Sequence, residues 1–215
     1  MIVDINITLL KKTVETIKYY ANDTEITGAE YDILLHLKNK IDGGNNTNLK
    51  FDAKISNKNV FDFNDGNGPV PAHKHSNGGG WVANTASVAD SAYVGPNTLV
   101  YGNARVYGNA RVYGNARVYG NARVYDTVRV YGDAQVYGDA RVYGNARVFD
   151  TARVFDTAQV FDTARVYGNA YVYGDARVYD TAQVYGNAYV YGDAQVCGDA
   201  QVCGDALVFN IVINK

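Results

Sequence analysis

The chain has 215 residues, 47% hydrophobic and 20% charged, which excludes a disordered polar chain and leaves room for one large domain or two small ones. Its formal net charge of −2 lacks the basic excess of a general nucleic-acid binder, so nucleic acid is not an expected partner. No apolar run is long enough to span a membrane, and the opening MIVDINITLLKK lacks the basic-then-apolar order of a secretory signal, so a cytoplasmic protein is expected.

Residues 1–45 read as a helical hairpin. The first helix is expected from about Thr8 to Tyr20, with Leu10, Val14 and Ile17 on one face. The second opens on Thr27-Gly28-Ala29-Glu30, a capping box flanked by Ile26 and Tyr31 as a hydrophobic staple. It continues through Leu34, Leu35, Leu37 and Ile41 and stops at Gly43-Gly44. Residues 46–80 read as a short β segment and a linker. Leu49 to Phe63 alternates in places around Ser56-Asn57-Lys58-Asn59, which suits a β-hairpin. Asp65 to Gly80 is rich in Gly, Asn, Pro and His and reads as the lead into the next domain. His73 and His75, two apart, would share one side of a strand and could hold a metal together. With no third ligand nearby in sequence, they read as polar linker residues and no metal is expected.

From Val82 to Val208 a valine recurs at every sixth position, 22 times without an insertion. The commonest unit is Val106-Tyr107-Gly108-Asn109-Ala110-Arg111. Counting the valine as position one, position five is Ala with few exceptions, among them Thr98 and Val128, and position two is mostly Tyr or Phe. Position three is mainly Gly or Asp, and position six mainly Arg, Gln or Tyr. A period of six does not suit an α-helix, whose apolar face returns every 3.6 residues. It suits short strands, as in Arg105-Val106-Tyr107, each followed by Gly-Asn or Asp-Thr, which tolerate positive φ at a corner. Alanine beside the corner is expected to face inward.

Three such units close a triangular coil of 18 residues. The pattern, an aliphatic residue followed four positions later by a small one, resembles that of the hexapeptide-repeat superfamily. The resemblance implies a left-handed parallel β-helix of about seven coils over residues 81–215, roughly 35 Å long at the spacing of stacked strands. Open solenoid ends need covers. Trp81, after Gly78-Gly79-Gly80, is the expected N-terminal cap, and the bulky stretch Val208 to Ile213 the C-terminal one. The run His75 to Val82 is similar to the lead-in of bacterial and phage hexapeptide-repeat proteins. Cys197 and Cys203 replace tyrosine in neighbouring units and should be separate surface thiols pointing in different directions, without a disulfide.

Enzymes of this superfamily are acyltransferases with a histidine base and an inserted loop, or carbonic anhydrases with three histidines for zinc. Residues 82–215 contain no histidine, and the 22 in-phase units leave no room for an inserted loop, so no catalytic, cofactor or metal residue is carried over and a non-enzymatic chain is expected. Information then lies on three outer faces, each formed by every third unit. One holds Arg105, Tyr107, Arg123, Tyr125, Arg141 and Tyr143; a second holds Arg111, Tyr113, Arg129 and Tyr131. The third ends in Tyr171, Tyr173, Tyr189, Tyr191, Leu207 and Phe209, and the strands of its last three coils carry no charge. An apolar patch of this kind marks an interface with a protein partner or with further copies, a trimer being what the resemblance implies. The expected function is a structural or protein-interaction scaffold, such as a phage or mobile-element protein that forms part of a particle or docks on a host protein. The alternatives are a trimeric acyltransferase-like enzyme and a carbohydrate-binding module that stacks sugars on its aromatic columns.

Overall fold

A residue recurring at every sixth position can face one interior only if each unit turns the chain through a third of a circle. The computed structural model, which describes residues 19–21, 24–26 and 60–215, shows this arrangement. The chain divides into two units, 1–60 and 61–215. In the second, each hexad contributes a strand of two or three residues, from Ser87–Val88 to Leu207–Phe209. Strands 18 residues apart pair in parallel, as Val124 does with Val142 and Val142 with Val160. The result is a parallel β-solenoid of about seven coils with three sheets of seven, eight and ten strands.

The interior is a column of valines with alanines beside them. Val94 to Val196 at position one, and the alanines from Ala104 to Ala194, have no solvent exposure. At ~1.5 kcal/mol for each buried valine, this column is the main source of stability. Thr98 and Val128 occupy the alanine position and are equally buried. The Thr98 hydroxyl is satisfied by the carbonyl of Val112 at 3.3 Å.

Position three is the corner, and from Gly102 onward it sits in the left-handed region. Gly120 has φ +69° and Asp126 has φ +66°. The two corner types differ in how they bind the next coil. In the Asp-Thr corners the carboxylate accepts the amide of the residue one coil on, as Asp126 does from Gly144 at 3.0 Å and Asp150 from Gly168 at 3.1 Å. The threonine hydroxyl donates to the carbonyl of that same residue, Thr127 to Gly144 at 3.0 Å and Thr151 to Gly168 at 2.9 Å. Every aspartate at position three is followed by threonine, except Asp90, which is followed by Ser91, and every glycine of the regular repeats is followed by Asn or Asp. In the glycine corners amides at position four, as in Asn115 and Asn121, reach carboxylates one coil on, Asp133 and Asp139, at 2.9 and 3.1 Å.

The N-terminal end is covered. Val70–Lys74 forms a strand antiparallel to Trp81–Ala83, with His73 opposite Val82, and Val60–Phe61 lies beyond it in the ten-stranded sheet. A strand thus stands in the segment expected to be linker. Pro71 obscures it, since proline argues against a strand interior. Here Pro71 contributes its carbonyl, which accepts the Asn84 amide at 2.9 Å. Residues 77–80 cover a second edge, Asn77 accepting from Val94 N–H and Gly80 donating to Val94 O, both at 3.0 Å. Gly80 must be glycine, because a Cβ there would lie 2.3 Å from the Gly95 carbonyl. Trp81, the expected N-terminal cap, lies outside the valine column. Strand alternation turns Val82 inward and Trp81 outward, where it stacks on Phe61 at 4.5 Å beneath the Lys74 ammonium.

At the C-terminal end the last corner is one residue shorter. Val196 pairs with Ile213, 17 residues on, so Ile213 takes the inward place and Val212 the outward one. The expected cap is therefore only half a cap: Val208 is buried and Ile213 packs on the core, while Leu207, Phe209, Ile211 and Val212 remain exposed. Cys197 is not the surface thiol expected. It is buried beneath the final strand, with its Sγ 3.7 Å from the Ile213 carbonyl; Cys203 is exposed, and both are free.

No helix occurs among the described residues, so none is long and apolar enough to cross a membrane. Tyr19 and Tyr20, expected to end the first helix, instead lie in the strand Tyr19–Ala21, paired antiparallel with Thr24–Ile26. Aromatic and β-branched residues there, separated by the turn-favouring Asn22-Asp23, outweigh the helical periodicity. The rest of the helical hairpin, and the β-hairpin before Val60, lie outside the described residues.

Candidate functional site

Each valine places its two chain neighbours on the outside, so positions six and two form parallel columns along each sheet. In the ten-stranded sheet, position two forms a stack of eight rings with Phe63 at its head: Phe63, Tyr101, Tyr119, Tyr137, Phe155, Tyr173, Tyr191 and Phe209, with centroids 4.8–5.1 Å apart. The other sheets carry Tyr113–Tyr131–Phe149–Tyr167–Tyr185 and Tyr125–Tyr143–Phe161–Tyr179. Tyr107 stands half-exposed below the latter column, which begins at Tyr125. The ring spacing is the spacing of stacked strands, so the backbone sets it.

The columns are tied to their neighbours by a contact invisible at the level of single repeats. Every glutamine at position six accepts a hydrogen bond from the tyrosine hydroxyl one coil earlier: Tyr119 to Gln135 at 3.1 Å, Tyr143 to Gln159 at 3.4 Å and Tyr167 to Gln183 at 3.2 Å, with Tyr179–Gln195 and Tyr185–Gln201 alike. Arg–Tyr cation–π contacts are few among the described residues. Arg111 lies 5.5 Å from the Tyr93 ring and 6.0 Å from Tyr113, and Arg153 lies 5.4 Å from Tyr171.

The third face has two halves. Its N-terminal half is covered: Phe63, Ala72, Ala83 and Tyr101 form a second small core with Phe61, Val70, Trp81 and Leu99 packed around it. Its C-terminal half carries two aromatic columns side by side. Tyr171 and Tyr189 stack at 4.8 Å in position six beside Tyr173, Tyr191 and Phe209 in position two. Leu207 follows Tyr189 in register, opposite it in the ladder. Arg153 closes this patch on one side, and the strands beyond it carry no charge. All six predicted interface residues are brought together here.

Burial holds the hydroxyls of Tyr119 and Tyr137, inside the column of the ten-stranded sheet, above the ordinary tyrosine pKa of 10.0. For Tyr119 and Tyr137 desolvation is the largest cause, and the neighbouring stacked tyrosine adds to it. A pKa raised in the fold means that unfolded tyrosine ionises first as pH rises. Stability is therefore full below pH 10.0 and falls as pH climbs towards the folded value. Melting temperatures should drop above this point, and Tyr137→Phe should blunt the drop. An equally steep drop in the Tyr137→Phe variant would contradict this.

No other cluster competes as a site. His73 is exposed and its Nδ1 lies 2.9 Å from Asn84 Oδ1, whereas His75 is buried, with Nδ1 accepting the Asn77 amide at 3.3 Å. The two rings therefore occupy different environments, and among the described residues no group of three His, Cys, Asp or Glu side chains is placed to hold a metal. An open groove of 380 Å³ on the eight-stranded face runs between an Asp/Thr corner column and an Arg/Gln strand column. Its two walls carry opposite charge, as in Asp175 and Arg177, and largely cancel.

Eight segments match the family model described as the YdcK beta solenoid repeat: residues 100–114, 104–117, 110–126, 116–132, 134–148, 140–156, 164–180 and 182–198. All lie within the rod, whose repeat β-solenoid character they support independently of the coordinates. No curated protein and no solved structure matches the chain.

Proposed function

We propose that the solenoid is a non-enzymatic scaffold that binds a protein through the C-terminal half of its ten-stranded face. One observation carries this reading: Tyr171, Tyr173, Tyr189 and Tyr191 form paired columns, continued by Leu207 and Phe209, on strands without charge. Tyrosine-rich patches of this kind are the usual anchors of protein interfaces. Two further elements rest on the hexapeptide-repeat resemblance, namely a left-handed winding and lateral packing of three rods as one form the contact takes.

The ring geometry disfavours the carbohydrate alternative. A sugar stacks on a ring face, and in these columns neighbouring rings, within 1–5° of parallel along most of their length, cover one another and present only edges and hydroxyls. The acyltransferase alternative lacks a histidine anywhere in the repeats. Tyr189→Asp places a charge in the centre of the patch without touching the valine core. It should abolish capture of the partner, or lateral self-association, while leaving the melting temperature within a few degrees of the unsubstituted chain. Unchanged binding and unchanged assembly mass, measured by pull-down from the native host and light scattering, would sink the proposal.

A further inference from the structure

The two ends of the rod are built differently. The strands Gln201–Val202, Leu207–Phe209 and Val212–Asn214 are the last members of the three sheets, with no strand beyond them among the described residues. In the coils before, outward strand residues send their amides to the next coil, as Tyr171 does to Ala188 O and Tyr173 to Val190 O. Leu207 and Phe209 stand at the same places in the ladder, with no coil among the described residues to receive theirs. Open edges are ordinarily protected by charge or proline. These three strands have neither, and they expose Leu207 at 68%, Phe209 at 51% and Val212 at 63%, beside Ile211 at 52%. At the opposite end two of the three sheet edges are occupied, by Val70–Lys74 and by residues 77–80. A second rod cannot stack head to tail there.

We propose that the C-terminal end is an interface for a second copy of this chain, joined tail to tail about a twofold axis through Val208. Antiparallel pairing of the two Leu207–Phe209 strands sets Leu207 of each copy opposite Phe209 of the other and Val208 opposite Val208. The amides and carbonyls of residues 207 and 209 then pair, the valine columns become continuous, and the outer side chains keep to the outer face. The same axis sets Gln201–Val202 of each copy against Val212–Asn214 of the other, so all three open edges close together. Because one patch meets itself, assembly stops at two, as a twofold interface requires. The contact buries on the order of 1,000 Å² in total, near the lower limit of a specific interface, so a reversible dimer is expected. It does not depend on the lateral contact proposed above.

Two experiments test it on the full chain. In light scattering the assembly should contain an even number of 23.5 kDa chains, and Leu207→Lys/Phe209→Lys should halve its mass, whereas Tyr189→Asp should leave the end-to-end contact intact. In a Cys203→Ser background, Leu207→Cys/Phe209→Cys should give a covalent dimer on oxidation, and neither substitution alone should, because each residue faces the other and not itself. A monomer, an odd-numbered assembly, or a mass unaltered by the two lysines overturns the proposal. Equal cross-linking by the single-cysteine variants overturns its register.

Discussion

Replacing Val142 with aspartate should cost more than about 4 kcal/mol and break the rod where it is introduced. The side chain is fully buried, with Val124 and Val160 directly below and above it in the same ladder. A carboxylate there meets only valine and alanine side chains, and protonation merely exchanges a buried charge for a buried unsatisfied polar group. Val142→Ala, which removes two carbons and adds no polar atom, should cost only about 2 kcal/mol. The consequence of the aspartate is spatially confined because each coil touches only its neighbours. Hydrogen exchange should show the coils around residue 142 unprotected and the early coils, anchored by the Phe63–Tyr101 cluster, still protected. Uniform loss of protection at every coil would show that the rod folds as one cooperative unit.

The corners should give the second largest effects, with a pattern no single-residue scale predicts. Gly120 has φ +69°, and a Cβ there would lie 2.9 Å from the Gly138 amide nitrogen and 3.1 Å from its carbonyl oxygen. Gly120→Ala combines a left-handed backbone, at about 1–2 kcal/mol, with a push against the next coil. A total loss of about 2–3 kcal/mol is expected by chemical denaturation. Gly120→Asp carries the same Cβ, but its carboxylate can accept the Gly138 amide, as Asp126 accepts that of Gly144. Gly120→Asp/Asn121→Thr adds a hydroxyl able to donate to the Gly138 carbonyl, as Thr127 does to Gly144. The order of stability should be the natural chain, then the Asp-Thr double variant, then Gly120→Asp, then Gly120→Ala, with about 1 kcal/mol of favourable coupling within the double variant. Additive costs would mean that the Asp-Thr pairing has no energetic basis.

The rod was legible because its signal is repeated. One valine is ambiguous, but 22 at a spacing of six admit few geometries, and the inward valines, the alanine positions and the 18-residue pairing all follow. The three outer faces follow by counting, and so does the grouping of Tyr171, Tyr173, Tyr189, Tyr191, Leu207 and Phe209. Most of what escaped lies where repetition stops. Pro71 hides a strand, because a strand next to a covered edge can use a carbonyl where the missing amide would otherwise count. The outward turn of Trp81 follows from its position beside an inward Val82, a rule that local composition obscures. The one-residue contraction before Ile213 shifts the phase of the final strand, and this buries Cys197. The tyrosine–glutamine bonds join residues 16 apart, and a reading of one hexad at a time does not connect them.

The chain repeats every six residues but pairs every 18, and the two periods have different tolerances. Duplication of a single hexad preserves every inward valine, every corner and every stacked backbone contact. It also rotates everything downstream by one face, so that Tyr173 no longer continues the column of Tyr119 and Tyr137. The interior thus counts in units of one and the surface in units of three. Drift in hexad number can scramble what the rod displays without harming what holds it up, and only gains or losses in multiples of three leave both unchanged. For this chain, length is itself a surface property.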